Sequence, residues 1–376
     1  MPPRAAYLHV PFCRHRCGYC NFTVIAGREE LATTYLQALG RELSALERPR
    51  EVDTIFLGGG TPTHLTLPQL DELLTLVQHW FPLAAGGEFS VEANPRDALE
   101  VDKLALLKAH GATRISLGVQ SFAADKLRLL ERDHNADIIR QAVQNARAEG
   151  FDVSLDLIFG APGETLAGWQ SDLQQALALS PDHLSTYGLT FEKGTTFWGR
   201  LSRGELVQAE EDLEREMYLL GIETLTAAGF EHYEVSNFAR AGHRCRHNEA
   251  YWLGREYYAA GPGAARYVAG RRSTNHRSTT AWIARVMAGE SPIAESEDLS
   301  PEEMARERLV FGLRRLEGYD IKAFARETGF QIDDLAGPRL AQFVEQGYLS
   351  RAAGRLRLTR AGLLISDALW PYLLQS

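Results

Sequence analysis

The sequence is poor in cysteine, with four residues in a chain of 376. Four thiols, three of them clustered, are too few for a disulfide-stapled secreted scaffold. No apolar run of about 18 residues occurs, so no transmembrane helix is expected. Met1-Pro2-Pro3-Arg4 leads straight into a strand-like segment, without a signal-peptide core before it. Basic residues do not dominate. The formal net charge is −9, which argues against a bulk electrostatic grip on nucleic acid. Low-complexity tracts are missing, as are repeats beyond an alternation of strands and helices. These absences predict a reducing, cytoplasmic setting, no nucleic-acid partner and no membrane span, with peripheral membrane contact left open. What is present, 45% hydrophobic residues, suffices for one large domain and a small one.

Three of the four cysteines stand within eight residues, Cys13-Arg14-His15-Arg16-Cys17-Gly18-Tyr19-Cys20. They follow the apolar run Tyr7-Leu8-His9-Val10. Thiolates this close on one loop can share a metal centre. A mononuclear zinc or a fully ligated iron–sulfur cluster needs a fourth protein ligand. The remaining cysteine, Cys245, lies far downstream. The simplest reading is a cubane cluster held by three thiolates, with one iron open.

Candidate strands are Ala6–Val10, Thr54–Leu57, Glu88–Glu92, Arg114–Val119, Val153–Ile158 and His183–Leu189. Amphipathic stretches separate them. Leu31, Tyr35, Leu39, Leu43 and Leu46 line one helical face, and Thr66 is placed to cap a second helix carrying Leu70, Leu73, Leu74 and Val77. Repeated βα units imply parallel strands with right-handed crossovers. Six units predict an α/β fold, a partial (βα)6 TIM-type barrel, with its chemistry at the C-terminal strand ends. The cysteine loop sits at that end. So do Gly58-Gly59-Gly60-Thr61, where glycines admit close backbone approach to a ligand. Glu92 and Asp156 are acids inside apolar strands, costly unless partnered. Gln120 ends the fourth strand.

Past Leu189 the rhythm weakens. A long acidic helix, near Ala209–Ala228, is expected outside the barrel. Cys245-Arg246-His247-Asn248-Glu249-Ala250-Tyr251-Trp252 gathers a thiol, an imidazole, a phenol and an indole. Such a set could ligate and stack on a porphyrin, although a buried aromatic cluster is the commoner reason for it. From Ser300 the chain reads as a small α+β module: amphipathic helices at Met304–Leu316, Ile321–Thr328 and Leu335–Gln346, then a hairpin. This resembles a winged helix, though no basic recognition helix is present. The expected organisation is residues 1–200 as the barrel, 201–299 as a helical extension and 300–376 as the winged-helix-like domain.

The Cys-x3-Cys-x2-Cys spacing, with an aromatic before the last cysteine, resembles the radical S-adenosylmethionine (SAM) superfamily. Tyr7-x-His9-x-Pro11-Phe12-Cys13, Gly58-Gly59-Gly60-Thr61-Pro62-Thr63, Gly118-Val119-Gln120-Ser121-Phe122 and Asp156-Leu157-Ile158-Phe159-Gly160 extend the resemblance over the chain, to the oxygen-independent coproporphyrinogen III oxidase family. It implies a [4Fe–4S] cluster on Cys13, Cys17 and Cys20. It also implies SAM contacts at Tyr7, Tyr19, Gly59, Gly60, Thr61, Glu92, Gln120, Arg132, Asp156 and Thr190, and reductive cleavage of SAM in the active members. The oxidase branch carries a long N-terminal extension and a fourth cysteine two residues after the third. Here twelve residues precede Cys13, and Phe22 fills that position. His247-Asn248-x-x-Tyr251-Trp252 resembles the motif of the other branch, the HemW-type haem chaperones. That resemblance implies haem as a third cofactor, with His247, Cys245 and Tyr251 as candidate contacts. It implies haem-accepting proteins as partners and an electron donor such as flavodoxin or ferredoxin. A tetrapyrrole-modifying enzyme of the oxidase kind is the alternative, and enzymatic turnover is left undecided. Ala265 stands where the family often has histidine.

Overall fold

The computed structural model describes residues 2–374. Six parallel strands form its centre: β1 Ala5–Val10, β2 Val52–Gly59, β3 Leu83–Ala93, β4 Arg114–Gln120, β5 Asp152–Phe159 and β6 His183–Gly188. They pair in chain order, each parallel to the next. The sheet extends beyond the six expected strands at both edges. A hairpin, β7 Glu231–Glu234 and β8 Asn237–Ala239, joins β6 antiparallel through β8. Strand β9, Tyr258–Ala260, joins β1 in parallel. Residues 201–299 therefore supply strands to the barrel as well as helices.

The period-2 alternation of side chains sorts each strand into two faces. Ile55, Leu57, Phe89, Val91, Ile115, Leu117, Val153, Leu155 and Leu184 are buried in the main core. Against them pack helices Ala32–Ser44, Leu67–Trp80, Val101–Ala109, Ala136–Ala148 and Leu166–Ala178. The alternate positions, Tyr7, Phe56, Glu92, Arg114, Ser116, Ser154, Asp156, His183 and Ser185, line the barrel interior. A lumen lined with polar side chains explains why acids interrupt otherwise apolar strands. Thr66 forms a capping box with Gln69 at the start of its helix, satisfying orphan backbone donors.

The long acidic helix, Glu211–Ala227, packs outside the barrel, its Met217 carbonyl accepting from Trp169 Nε1 at 2.8 Å. The C-terminal module has its own core, with Leu309, Leu313, Phe324, Leu340 and Leu356 fully buried or nearly so. Its helix Pro301–Arg314 opens on a Ser300–Glu303 capping box, and Leu349–Ala352 and Arg355–Leu358 form the hairpin. The helix expected at Leu335–Gln346 begins earlier, at Ile332, and is broken at Gly337 (φ 42°, ψ −133°) before Pro338. Proline removes a helical donor and clashes with the preceding turn, so the break falls where the chemistry requires it. Among the described residues no helix is long and apolar enough to cross a membrane.

Candidate cofactor site

The cysteine loop leaves β1 at the C-terminal mouth of the barrel. Its backbone turns back on itself, with Cys20 N–H donating to Cys17 O at 3.0 Å, and Ile25 N–H to Pro11 O at 2.8 Å. All four cysteines are unpaired. Cys13 Sγ lies 3.6 Å from Thr61 Oγ1. Arg132 donates from Nη1 to Cys17 Sγ at 3.4 Å and from Nη2 to Gly118 O at 2.9 Å. Burial pushes the Cys13 thiol up to about 12, opposed by the Thr61 hydroxyl and raised further by Cys20 and Cys17. A bound cation must therefore draw off that proton. Cys245 sits at the opposite end of the barrel and cannot act as a fourth ligand. No group of three or more His, Cys, Asp or Glu side chains among the described residues closes around a single ion, the three loop thiols included. This donor set, three thiols without a fourth protein ligand, fits a cubane with a free corner better than a tetrahedral zinc.

Next to the loop, Gly59 adopts φ +101°, and a Cβ there would lie 2.2 Å from the His9 ring. Gly60 would place a Cβ 2.7 Å from the Val10 and Phe12 carbonyls. The glycine run is thus the only backbone that can pass so close to the cysteine loop. Gly59 N–H donates to Glu92 Oε2 at 2.9 Å. Burial, with the Asp156 charge added, raises Glu92 to about 8, and the Gly59 amide pulls it back down. Burial likewise raises Asp156 to about 6, opposed by hydroxyls of Ser185 and Ser116. Ser116 Oγ stands 3.1 and 3.2 Å from the two Asp156 oxygens. Tyr7 bonds His9 through its hydroxyl at 2.9 Å, and Tyr19 packs edge-on against Phe197. Gln120 takes φ +66°, and its amide lies over Gly118 beside Arg132. The mouth therefore gathers backbone amides, two protonatable acids, an amide and a guanidinium, groups suited to an amino-acid moiety and a ribose. Thr190 is exposed just past β6.

The aromatic motif lies elsewhere. Helix Arg246–Trp252 stops the other end of the barrel. His247 Nδ1 meets Thr54 Oγ1 at 3.0 Å, and Nε2 meets the Tyr251 hydroxyl at 2.8 Å. From Thr54 to Gly59, β2 rises about 16 Å, which separates this stopper from the cysteine loop. Glu88 secures it, accepting from Arg246 N–H at 3.0 Å, His247 N–H at 3.1 Å and Cys245 Sγ at 3.6 Å. Arg114, paired with Glu88 at 3.6 Å, also donates to the His243 carbonyl at 2.8 Å. A file of rings joins the two ends: Tyr7–Phe56, Phe56–His247, His247–Tyr251 and Tyr251–Tyr257, with centroids 4.6 to 6.2 Å apart. Burial lowers His247 to about 3 and raises the Cys245 and Tyr251 protons. The three candidate haem contacts are thus brought together, but as a neutral, hydrogen-bonded plug. The partly open cavity that they help to line measures about 200 Å³. Arg114 and Glu88, which hold this plug, escaped the sequence reading. Arg114 opens its strand and Glu88 sits midway along its own, and only the alternation could have pointed to them.

The chain is similar to proteins of known family. Residues 7–176 match the family description "Radical SAM superfamily", and residues 299–365 match "HemN C-terminal domain". The chain is 35% identical to "Heme chaperone HemW" of Bacillus subtilis (strain 168), covering 97% of each protein. It is 34% identical to the Escherichia coli (strain K12) protein of that name, covering 98% of this chain and 97% of the relative. A Bos taurus relative, "Radical S-adenosyl methionine domain-containing protein 1, mitochondrial", is 34% identical over 97% of this chain and 86% of its own. In shape the molecule is similar to the coproporphyrinogen III oxidase HemN from Escherichia coli. The TM-score is 0.87 at 23% identity, over 99% of this chain and 90% of that one.

Proposed function

The chain belongs to the radical SAM superfamily and, within it, to the heme chaperone HemW family; from that premise we propose that it binds haem and passes it to acceptor proteins. Cys13, Cys17 and Cys20 would hold a [4Fe–4S] cluster, which together with SAM would supply one-electron chemistry when bound. Arg132 steadies the Cys17 thiolate. Gly59, Gly60 and Thr61 present backbone to the amino-acid end of SAM, while Glu92, Asp156 and Gln120 face its polar groups. Tyr7, Tyr19 and Thr190 complete the contact set. A flavodoxin or ferredoxin is the proposed electron donor, and the cytoplasm the proposed setting.

The observation that carries this reading is the likeness to heme chaperones along nearly the whole chain. Phe22 agrees with it: the side chain is 60% exposed at the loop's edge, where the oxidase branch has cysteine. For His247 to reach an iron, its Nε2 must leave the Tyr251 hydroxyl and the stopper helix must move aside. Haem titration followed by absorbance, on wild type and His247→Ala, tests the ligand. Equal stoichiometric binding by both removes His247 from the proposal, and no binding by wild type removes the function. Anaerobic incubation with reductant, SAM and coproporphyrinogen III tests the oxidase-like alternative, for which we expect no protoporphyrinogen.

A further inference from the structure

Behind the mouth, outside the lumen, lies a buried triad of charges. Lys126 Nζ pairs with Glu164 Oε1 and stands 3.2 Å from Asp172 Oδ2. The Lys126 ammonium also sits 5.4 Å above the Trp169 ring. Asp172 is 1% exposed. Its Oδ1 accepts from Phe122 N–H at 2.8 Å, and its Oδ2 from Ser121 Oγ at 2.7 Å. Glu164 Oε2 accepts from Ala161 N–H at 3.0 Å. One triad therefore fastens two rim turns, the one following β4 and the one following β5.

The turn after β4 needs fastening. Gln120 sits at φ +66°, a conformation in which a side chain crowds its own carbonyl and which is rare outside glycine, asparagine and aspartate. Such a residue stays there only if its surroundings hold it. The two residues that follow it, Ser121 and Phe122, are those bound by Asp172. If the turn relaxed, the Gln120 amide would swing away from Gly118 and Arg132, on which it now converges.

We propose that Asp172, ion-paired with Lys126, is a positioning residue that holds Gln120 in its left-handed conformation and so shapes the SAM pocket without touching SAM. The proposal rests on the reading that this mouth binds SAM. Lys126 and Glu164 extend the same restraint to the turn beyond Asp156, so both rim segments move as one piece.

The test uses anaerobically reconstituted holo-protein and SAM affinity by calorimetry, with iron content as a control. Asp172→Asn keeps the volume and loses the charge and one acceptor. We expect SAM affinity to fall tenfold or more at unchanged iron per chain. In a Gln120→Ala background the same change should cost less than twofold, because the residue being positioned is gone. Ser121→Ala, which leaves the ion pairs intact, should cost three- to fivefold and serves if Asp172→Asn does not fold. An equal loss with and without Gln120 assigns Asp172 a general structural role and overturns the proposal, as does wild-type affinity in both Asp172→Asn and Ser121→Ala. Wild-type holo-protein that fails to bind SAM overturns the underlying reading of the mouth instead.

Discussion

Arg132 and Cys17 are joined by a 3.4 Å contact from guanidinium to sulfur, and the same guanidinium reaches Gly118 O on β4. One side chain thus ties the cysteine loop to the sheet. Hydrogen bonds to charged groups contribute about 1.5–3 kcal/mol. In Arg132→Met the reconstituted cluster should be lost to a chelator at least about tenfold faster, measured as iron per chain over time. Retention at the wild-type rate would show that Cys17 does not depend on Arg132.

Gly59 and Gly86 both have positive φ, +101° and +71°, yet their surroundings differ. A Cβ at Gly59 meets His9, whereas nothing lies within 4 Å at Gly86. Gly86→Ala should cost about 1 kcal/mol of stability from backbone strain alone. Gly59→Ala adds overpacking, for a total of about 3 kcal/mol or more. Urea unfolding of the two apo-variants decides, and similar midpoints would contradict the close packing at the mouth.

Glu92 binds its proton more tightly when folded, since burial and Asp156 raise it to about 8. Between the ordinary carboxylate value and pH 8, the folded state then holds a proton that the unfolded state has released. Its contribution is complete below that ordinary value and is lost as pH rises toward 8. The apo-protein should lose stability from pH 5.5 to pH 8, and Glu92→Gln should lose less. Parallel pH profiles for the two proteins would mean that Glu92 is ionised throughout.

Tyr251 competes with any metal for His247 Nε2, holding it at 2.8 Å. A neutral hydrogen bond contributes about 1 kcal/mol net. Tyr251→Phe should therefore tighten haem binding about fivefold if His247 is the ligand, as read from the haem absorbance titration. A weaker or unchanged affinity would place the ligand elsewhere.

Much of the barrel was legible because each strand pairs an outward apolar face with polar residues turned inward. Glu92 and Asp156 stood out as acids among apolar neighbours, and the structure puts them on one wall of the lumen. The edge strands Glu231–Glu234, Asn237–Ala239 and Tyr258–Ala260 were not legible. Three or four residues carry too little alternation, and their pairing partners lie far away in sequence. The same distance hid the place of His247. Thr54, its partner, is 193 residues earlier, so a motif that reads as a ligand set gave no hint that it closes the barrel. The break at Gly337-Pro338 was written in the sequence, but the apolar spacing across it outweighed the proline.

Glu88 and Arg114 bolt the helix carrying His247 beneath the lumen. Tyr7, Glu92 and Asp156 line the same hollow as His247 and Tyr251, so a guest resting on the plug would share its chamber with the acids near the rim.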